Sequence, residues 1–170
     1  MFGLDGMNQA AYAAGQPIPN IIGMAFSYSM TIAVLYPAFA LAVLIFSKSN
    51  QLKTVGKISI APAFFGISEP LMFGVPVVMN PFMAIPWIIS PMVNVLLGWL
   101  ACSSGLVARY AGVTVFNFPM GVTGILNGSF TIAILEVVVC IIDILIFMPF
   151  VRIQDKKYID AEKAAETEQN

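Results

Sequence analysis

Two stretches of this chain, residues 6–47 and 70–108, contain no Asp, Glu, Lys or Arg. Each is well beyond the ~20 apolar residues that carry a helix across the hydrocarbon core of a bilayer. No other feature restricts the fold as severely. Hydrophobic residues make up 59% of the chain and charged ones 10%, with a mean hydropathy of +0.87; a soluble domain carries about 25% charged residues. Nine of the 17 charges (Arg152, Asp155, Lys156, Lys157, Asp160, Glu162, Lys163, Glu166 and Glu168) fall in residues 152–170. The expectation is an all-α, polytopic transmembrane protein. Residues 1–151 would form its membrane-embedded portion and 152–170 a charged, partly helical cytoplasmic tail.

Histidine is absent, which excludes imidazole acid–base chemistry, His-ligated metal and a phosphohistidine carrier within these residues. Cys102 and Cys140 both lie in apolar runs and read as small packing residues. No catalytic residue, metal centre or cofactor is expected, and no basic face points to nucleic acid.

Residues 23–46 read as a crossing, kinked at Pro37. A loop with Lys48, Lys53 and Lys57 follows, and its lysines place it on the cytoplasmic side. Residues 58–90 hold Pro62, Pro70, Pro76, Pro81 and Pro86. Each proline removes a backbone donor, and lipid cannot satisfy the carbonyls this frees. The expectation is a re-entrant hairpin that enters and leaves on one side. Residues 91–108 and 129–151 read as two more crossings, and parity then returns the basic C-terminal end to the cytoplasm. Residues 110–128, rich in Gly, Pro and Asn, read as a second re-entrant or interfacial segment. Trp87, Trp99 and Tyr110 read either as interfacial anchors or as ordinary packing.

Glu69 is the sharpest functional signal. A carboxylate at membrane depth costs at least ~2.5 kcal/mol unless it has a partner, a cavity or a proton. It precedes Pro70 at a helix break, where unwound backbone can also serve a ligand. The carboxylate either accepts hydroxyl hydrogen bonds from a polar solute, pairs with Arg109, or caps the next helix. Glu136 and Asp143, seven residues apart, share a helix face and read as a polar seam between helices or as an ion relay. Gly124 and Gly128 form only a weak G-x-x-x-G spacing.

The run Phe65-Gly66-Ile67-Ser68-Glu69-Pro70-Leu71-Met72-Phe73-Gly74-Val75-Pro76-Val77-Val78-Met79-Asn80-Pro81 resembles the signature of the membrane-embedded IIC component of bacterial phosphotransferase-system sugar permeases. The branch is the lactose/cellobiose (diacetylchitobiose) one. Residues 10–19, 46–49 and 146–150 extend the resemblance over about residues 8–152. Gly66 and Ser68 stand where that family usually has asparagines.

The resemblance implies a permease portion that binds a β-disaccharide such as cellobiose, chitobiose or lactose. Glu69 would contact sugar hydroxyls, with Ser68, Pro70 and Asn80 shaping the same hairpin and Asn117 and Pro119 in the second. It implies cytoplasmic IIB and IIA partners, with the phosphoryl-transfer cysteine on IIB, so that this chain supplies transport within a phosphohistidine–sugar phosphotransferase. It further implies a homodimer when complete, a separate N-terminal IIC half, and a multi-pass place in the bacterial plasma membrane with a cytoplasmic C-terminus. The competing reading is a truncated, non-transporting remnant or a small structural membrane subunit.

Overall fold

The computed structural model describes residues 1–75, 77 and 80–168. Pro76, Val78 and Met79 of the signature run, and Gln169 and Asn170, lie outside the described residues. Among the described residues every regular element is a helix: α1 (Phe2–Ala13), α2 (Met24–Tyr28), a π-helical turn (Ser29–Ala33), α3 (Leu35–Phe46), α4 (Asn50–Phe64), α5 (Glu69–Gly74), α6 (Pro81–Ser103), α7 (Val122–Leu126) and α8 (Phe130–Glu168). Three helical runs are long and apolar enough to cross a membrane: Met24–Phe46, Pro81–Ser103 and Phe130–Ala165.

The first run starts where Asp5 of α1 caps it. Asp5 Oδ2 accepts the Met24 and Ala25 N–H groups at 3.0 and 3.2 Å and the Thr114 hydroxyl at 3.0 Å. A carboxylate at a helix N-terminus satisfies orphan donors and complements the helix dipole. Asn8, one turn on, donates to the carbonyls of Asn20 and Tyr110. The irregularity expected at Pro37 lies one turn earlier, as the π-helical turn. Pro37 has no N–H to offer the carbonyl of Ala33, and the π turn ends at that residue; α-helical bonding resumes with Ala38 N–H to Val34.

The expected hairpin at 58–90 is broken, but its bounds differ. The breaks fall at 65–68 and after α5, whereas residues 81–90 belong to α6, one helix running through Pro86 and Pro91. Pro81 stands at the first turn, where a missing donor costs nothing. The interior prolines survive because the helix is held from outside: Trp87 packs edge-on to Phe39 at 5.3 Å and to Phe147 at 6.0 Å. Trp87 is therefore core packing, and Tyr110, 1% exposed, is not an interfacial anchor.

One core cluster joins α3, α5, α6 and α8 through Phe39, Leu71, Met83 and Phe147. A second joins the first crossing to α6 and α8 through Phe26, Met30, Cys102 and Ile132. Gly98 in α6 gives close approach, since a Cβ there would meet Met30 and Phe26 at 2.9 Å.

Helix α8 continues past Arg152 without a break, so the change at 151 is one of composition, not of secondary structure. Its Asp155 accepts the Lys48 and Ser49 N–H groups at 2.8 and 2.9 Å and the Ser49 hydroxyl at 2.7 Å, while Glu162 accepts the Asn50 and Gln51 N–H groups. Two carboxylates of the tail thus cap α4. Asp155 is 4% exposed, so Asp155→Ala orphans buried donors and is expected to cost about 2–3 kcal/mol. Thermal unfolding of the detergent-solubilised protein measures this.

Candidate functional site

The α4–α5 break forms because Pro62 weakens the end of α4 and Gly66 turns the chain at φ 73°. Helix α5 then restarts with Pro70 in its first turn, and the Ser68 carbonyl takes up the N–H groups of Leu71 and Met72 at 3.0 and 2.9 Å. Ser68 is the N-cap, yet its side chain makes no cap bond. Glu69 follows it and is exposed, and Pro70 is half-buried.

Neither structural alternative for Glu69 materialises among the described residues. Arg109 is occupied elsewhere, donating to the carbonyls of Ile18 and Pro19 at 2.8 and 3.0 Å. The α5 N-terminus carries no side-chain cap.

The second broken segment reaches the same place. Tyr28, the last residue before the π turn, accepts the Asn117 N–H at 2.7 Å. A Cβ at Gly66 would lie 2.9 Å from that same hydroxyl and 3.5 Å from Asn117 Oδ1. Phe116 packs edge-on against the Tyr28 ring at 5.2 Å. Asn117 holds φ 59°, a left-handed conformation that Asn tolerates better than most residues. Ile67, Phe116 and Phe118 are 43%, 50% and 41% exposed. Two discontinuous segments therefore meet at Tyr28 through Gly66 and Asn117, and the exposed Glu69 follows three residues after that turn. A carboxylate and an amide can accept from hydroxyls, and exposed aromatic rings can face C–H surfaces.

Asn80 does not join this group. Its Oδ1 accepts the Phe82 N–H at 3.1 Å as the cap of α6, and its Nδ2 donates to Gln154 Oε1 at 2.7 Å. Asn80→Ala is expected to cost about 1 kcal/mol of stability, read by the same unfolding measurement. Pro119 is half-buried, its carbonyl accepting the Thr123 N–H at 3.4 Å.

The acids of α8 form the polar seam. Glu136, fully buried, accepts the hydroxyls of Ser29 and Thr123 at 2.5 and 2.6 Å and the N–H of Gly121. The Ser29 proton goes to Glu136, so the Tyr110 hydroxyl, 2.9 Å away, donates to Ser29 Oγ. Burial, and then the nearby Glu136, push the Tyr110 phenol well above the ordinary tyrosine range. Asp143 accepts from Asn94 Nδ2 at 2.7 Å, and the same amide donates to the Met30 carbonyl at 3.0 Å. Both acids thus grip the π turn, one through Ser29 and one through Asn94. Gly124 abuts the backbone of Ile132 and Ala133, so its small size serves α7–α8 contact.

Residues 1–91 match the family model described as "Phosphotransferase system, EIIC". The chain belongs to the phosphotransferase-system EIIC family. It is 38% identical over 162 residues to the oligo-beta-mannoside-specific EIIC component of Bacillus subtilis (strain 168), covering 92% of this chain and 37% of that protein. It is 34% identical over 171 residues to the lichenan permease IIC component of the same organism, covering 97% and 38%. The crystal structure of ChbC, the IIC component from the N,N'-diacetylchitobiose-specific phosphotransferase system, superposes with a TM-score of 0.90 at 36% identity, covering 95% of this chain and 39% of that one. This EIIC chain therefore spans under two fifths of the length of these relatives.

Proposed function

We propose that this chain is the sugar-handling C-terminal portion of a IIC permease, and that it carries a β-linked disaccharide across the membrane for phosphorylation by a IIB partner. The observation that carries the reading is the exposed Glu69 carboxylate just after the Gly66 turn, which meets the Asn117 segment at Tyr28. Unwound backbone at membrane depth is tolerated where it lines a cavity, and discontinuous helices are a recurrent way of building transporter sites. Ser68, Pro70 and Asn117 shape the same rim, Pro119 supports it, and Asn80 acts at a distance by holding the start of α6. The names of the relatives point to β-linked substrates, oligo-beta-mannosides and lichenan among them. The remainder of the site comes from the part of the relatives that this chain does not span, encoded with it or separately, and the complete assembly pairs as a dimer. The lysine-bearing α3–α4 link and the α8 tail face the cytoplasm, where IIB and IIA act.

The test is uptake of radiolabelled cellobiose and chitobiose in cells without their own IIC of this branch. The cells express this chain with IIB and IIA, alone or with the N-terminal portion of a relative. Uptake is expected when that portion is supplied. Absence of uptake in both arms, with the chain present in the membrane, would sink the reading.

A further inference from the structure

Where α3 ends at Phe46 and α8 leaves its apolar stretch at Val151, three cations surround one cleft of about 470 Å³. Lys48 comes from the α3–α4 link, and Arg152 and Lys156 come from α8. The last two are four residues apart, so they stand on one helix face, an arrangement in which like charges repel. Such a pair is relieved by an anion between them. The carboxylate in the cleft is already engaged, because both Asp155 oxygens are taken up by the backbone and hydroxyl groups of residues 48–49. Arg152 lies over the Phe46 ring at 5.2 Å, which fixes the guanidinium at the cleft wall.

The other wall is apolar. Ile45, 59% exposed, lies on the last turn of α3, at the membrane side of the cations. A cationic cleft opening directly onto an apolar helix face fits an amphiphile rather than a bare ion: phosphate on the cations, hydrocarbon along Ile45. Basic clefts at the ends of spanning helices are where anionic lipid headgroups are held. We infer that this cleft binds the phosphate of an anionic phospholipid. The inference rests on the membrane reading of the chain and is independent of the sugar site.

Native mass spectrometry of the purified chain, released from micelles doped with phosphatidylglycerol or phosphatidylcholine, tests it. Phosphatidylglycerol is expected to stay bound preferentially. Each removed cation should weaken retention roughly fivefold, so Lys48→Gln/Lys156→Gln should weaken it roughly 25-fold, and adding Arg152→Gln further. Lys53→Gln/Lys57→Gln removes equal charge from α4 outside the cleft and should leave retention unchanged. Helical circular dichroism verifies that each variant is folded, and the double variant leaves the Arg152–Phe46 stack in place. Equal retention of both lipids, equal weakening by the control pair, or equal competition by inorganic phosphate at matched concentration would each overturn the inference.

Discussion

Glu69→Gln is expected to abolish sugar uptake while leaving the amount of protein in the membrane unchanged. The two halves of this outcome have separate causes. The side chain is exposed and engages no partner among the described residues, so its loss removes nothing that holds the fold. The amide that replaces the carboxylate keeps the shape but surrenders one acceptor and the charge. Hydrogen bonds to a charged group contribute about 1.5–3 kcal/mol each. Loss of one such bond to a sugar hydroxyl and weakening of the other to a neutral one remove about 3–4 kcal/mol together, which lowers binding by roughly 10²–10³-fold. Glu69→Asp retains charge with a shorter reach, and an intermediate loss is expected. Labelled-disaccharide uptake, normalised to protein in isolated membranes, measures both variants. Uptake by Glu69→Gln within twofold of the parent would assign the carboxylate no part in recognition.

The neighbouring Gly66 shows what the sequence conceals. Its glycine is legible as a turn signal in a proline-rich run, but its closeness to Tyr28 and Asn117 depends on how three separate elements pack. Tyr28 lies within an apolar crossing, where an aromatic residue usually means packing, and no spacing relates it to residue 117. Three long apolar helical runs are legible because charge-free length is a strong signal, although the second starts at Pro81 and ends at Ser103 rather than spanning 91–108; the 65–68 break is legible because Gly and Pro act locally. The run 81–90 reads as hairpin for the same reason in reverse, but it is helical. Pro86 and Pro91 disfavour helix locally, yet Trp87 packed between Phe39 and Phe147 holds the segment helical through tertiary contact. Asn80 shares one motif with Glu69, but a helix cap and the Gln154 amide occupy both ends of its side chain, which motif position alone does not reveal.

Glu136→Ala is expected to be strongly destabilising and to loosen the second broken segment. The carboxyl group gathers three donors from two elements that no regular hydrogen bonding connects: Ser29 of the π turn, and Gly121 and Thr123 at the start of α7. Alanine leaves the Thr123 hydroxyl and the Gly121 N–H without this acceptor in a buried setting. Each orphaned buried donor costs about 1–3 kcal/mol, which makes about 2–6 kcal/mol for the two. Ser29 retains Tyr110 as a partner, which limits the damage on that side. Glu136→Gln keeps one acceptor oxygen for the two hydroxyls but turns an N–H₂ toward the Gly121 N–H, so a smaller loss is expected. Cys102 and Cys140 are buried, so a cysteine introduced at exposed Phe118 gives a local reporter. Its rate of maleimide labelling should rise several-fold in the Glu136→Ala background and little in Glu136→Gln. Because Asn117 in that segment shares Tyr28 with the Gly66 turn, the same replacement should also reduce uptake with Glu69 intact. A loss of uptake without faster labelling at 118 would mean that Glu136 acts on the sugar by another route than positioning.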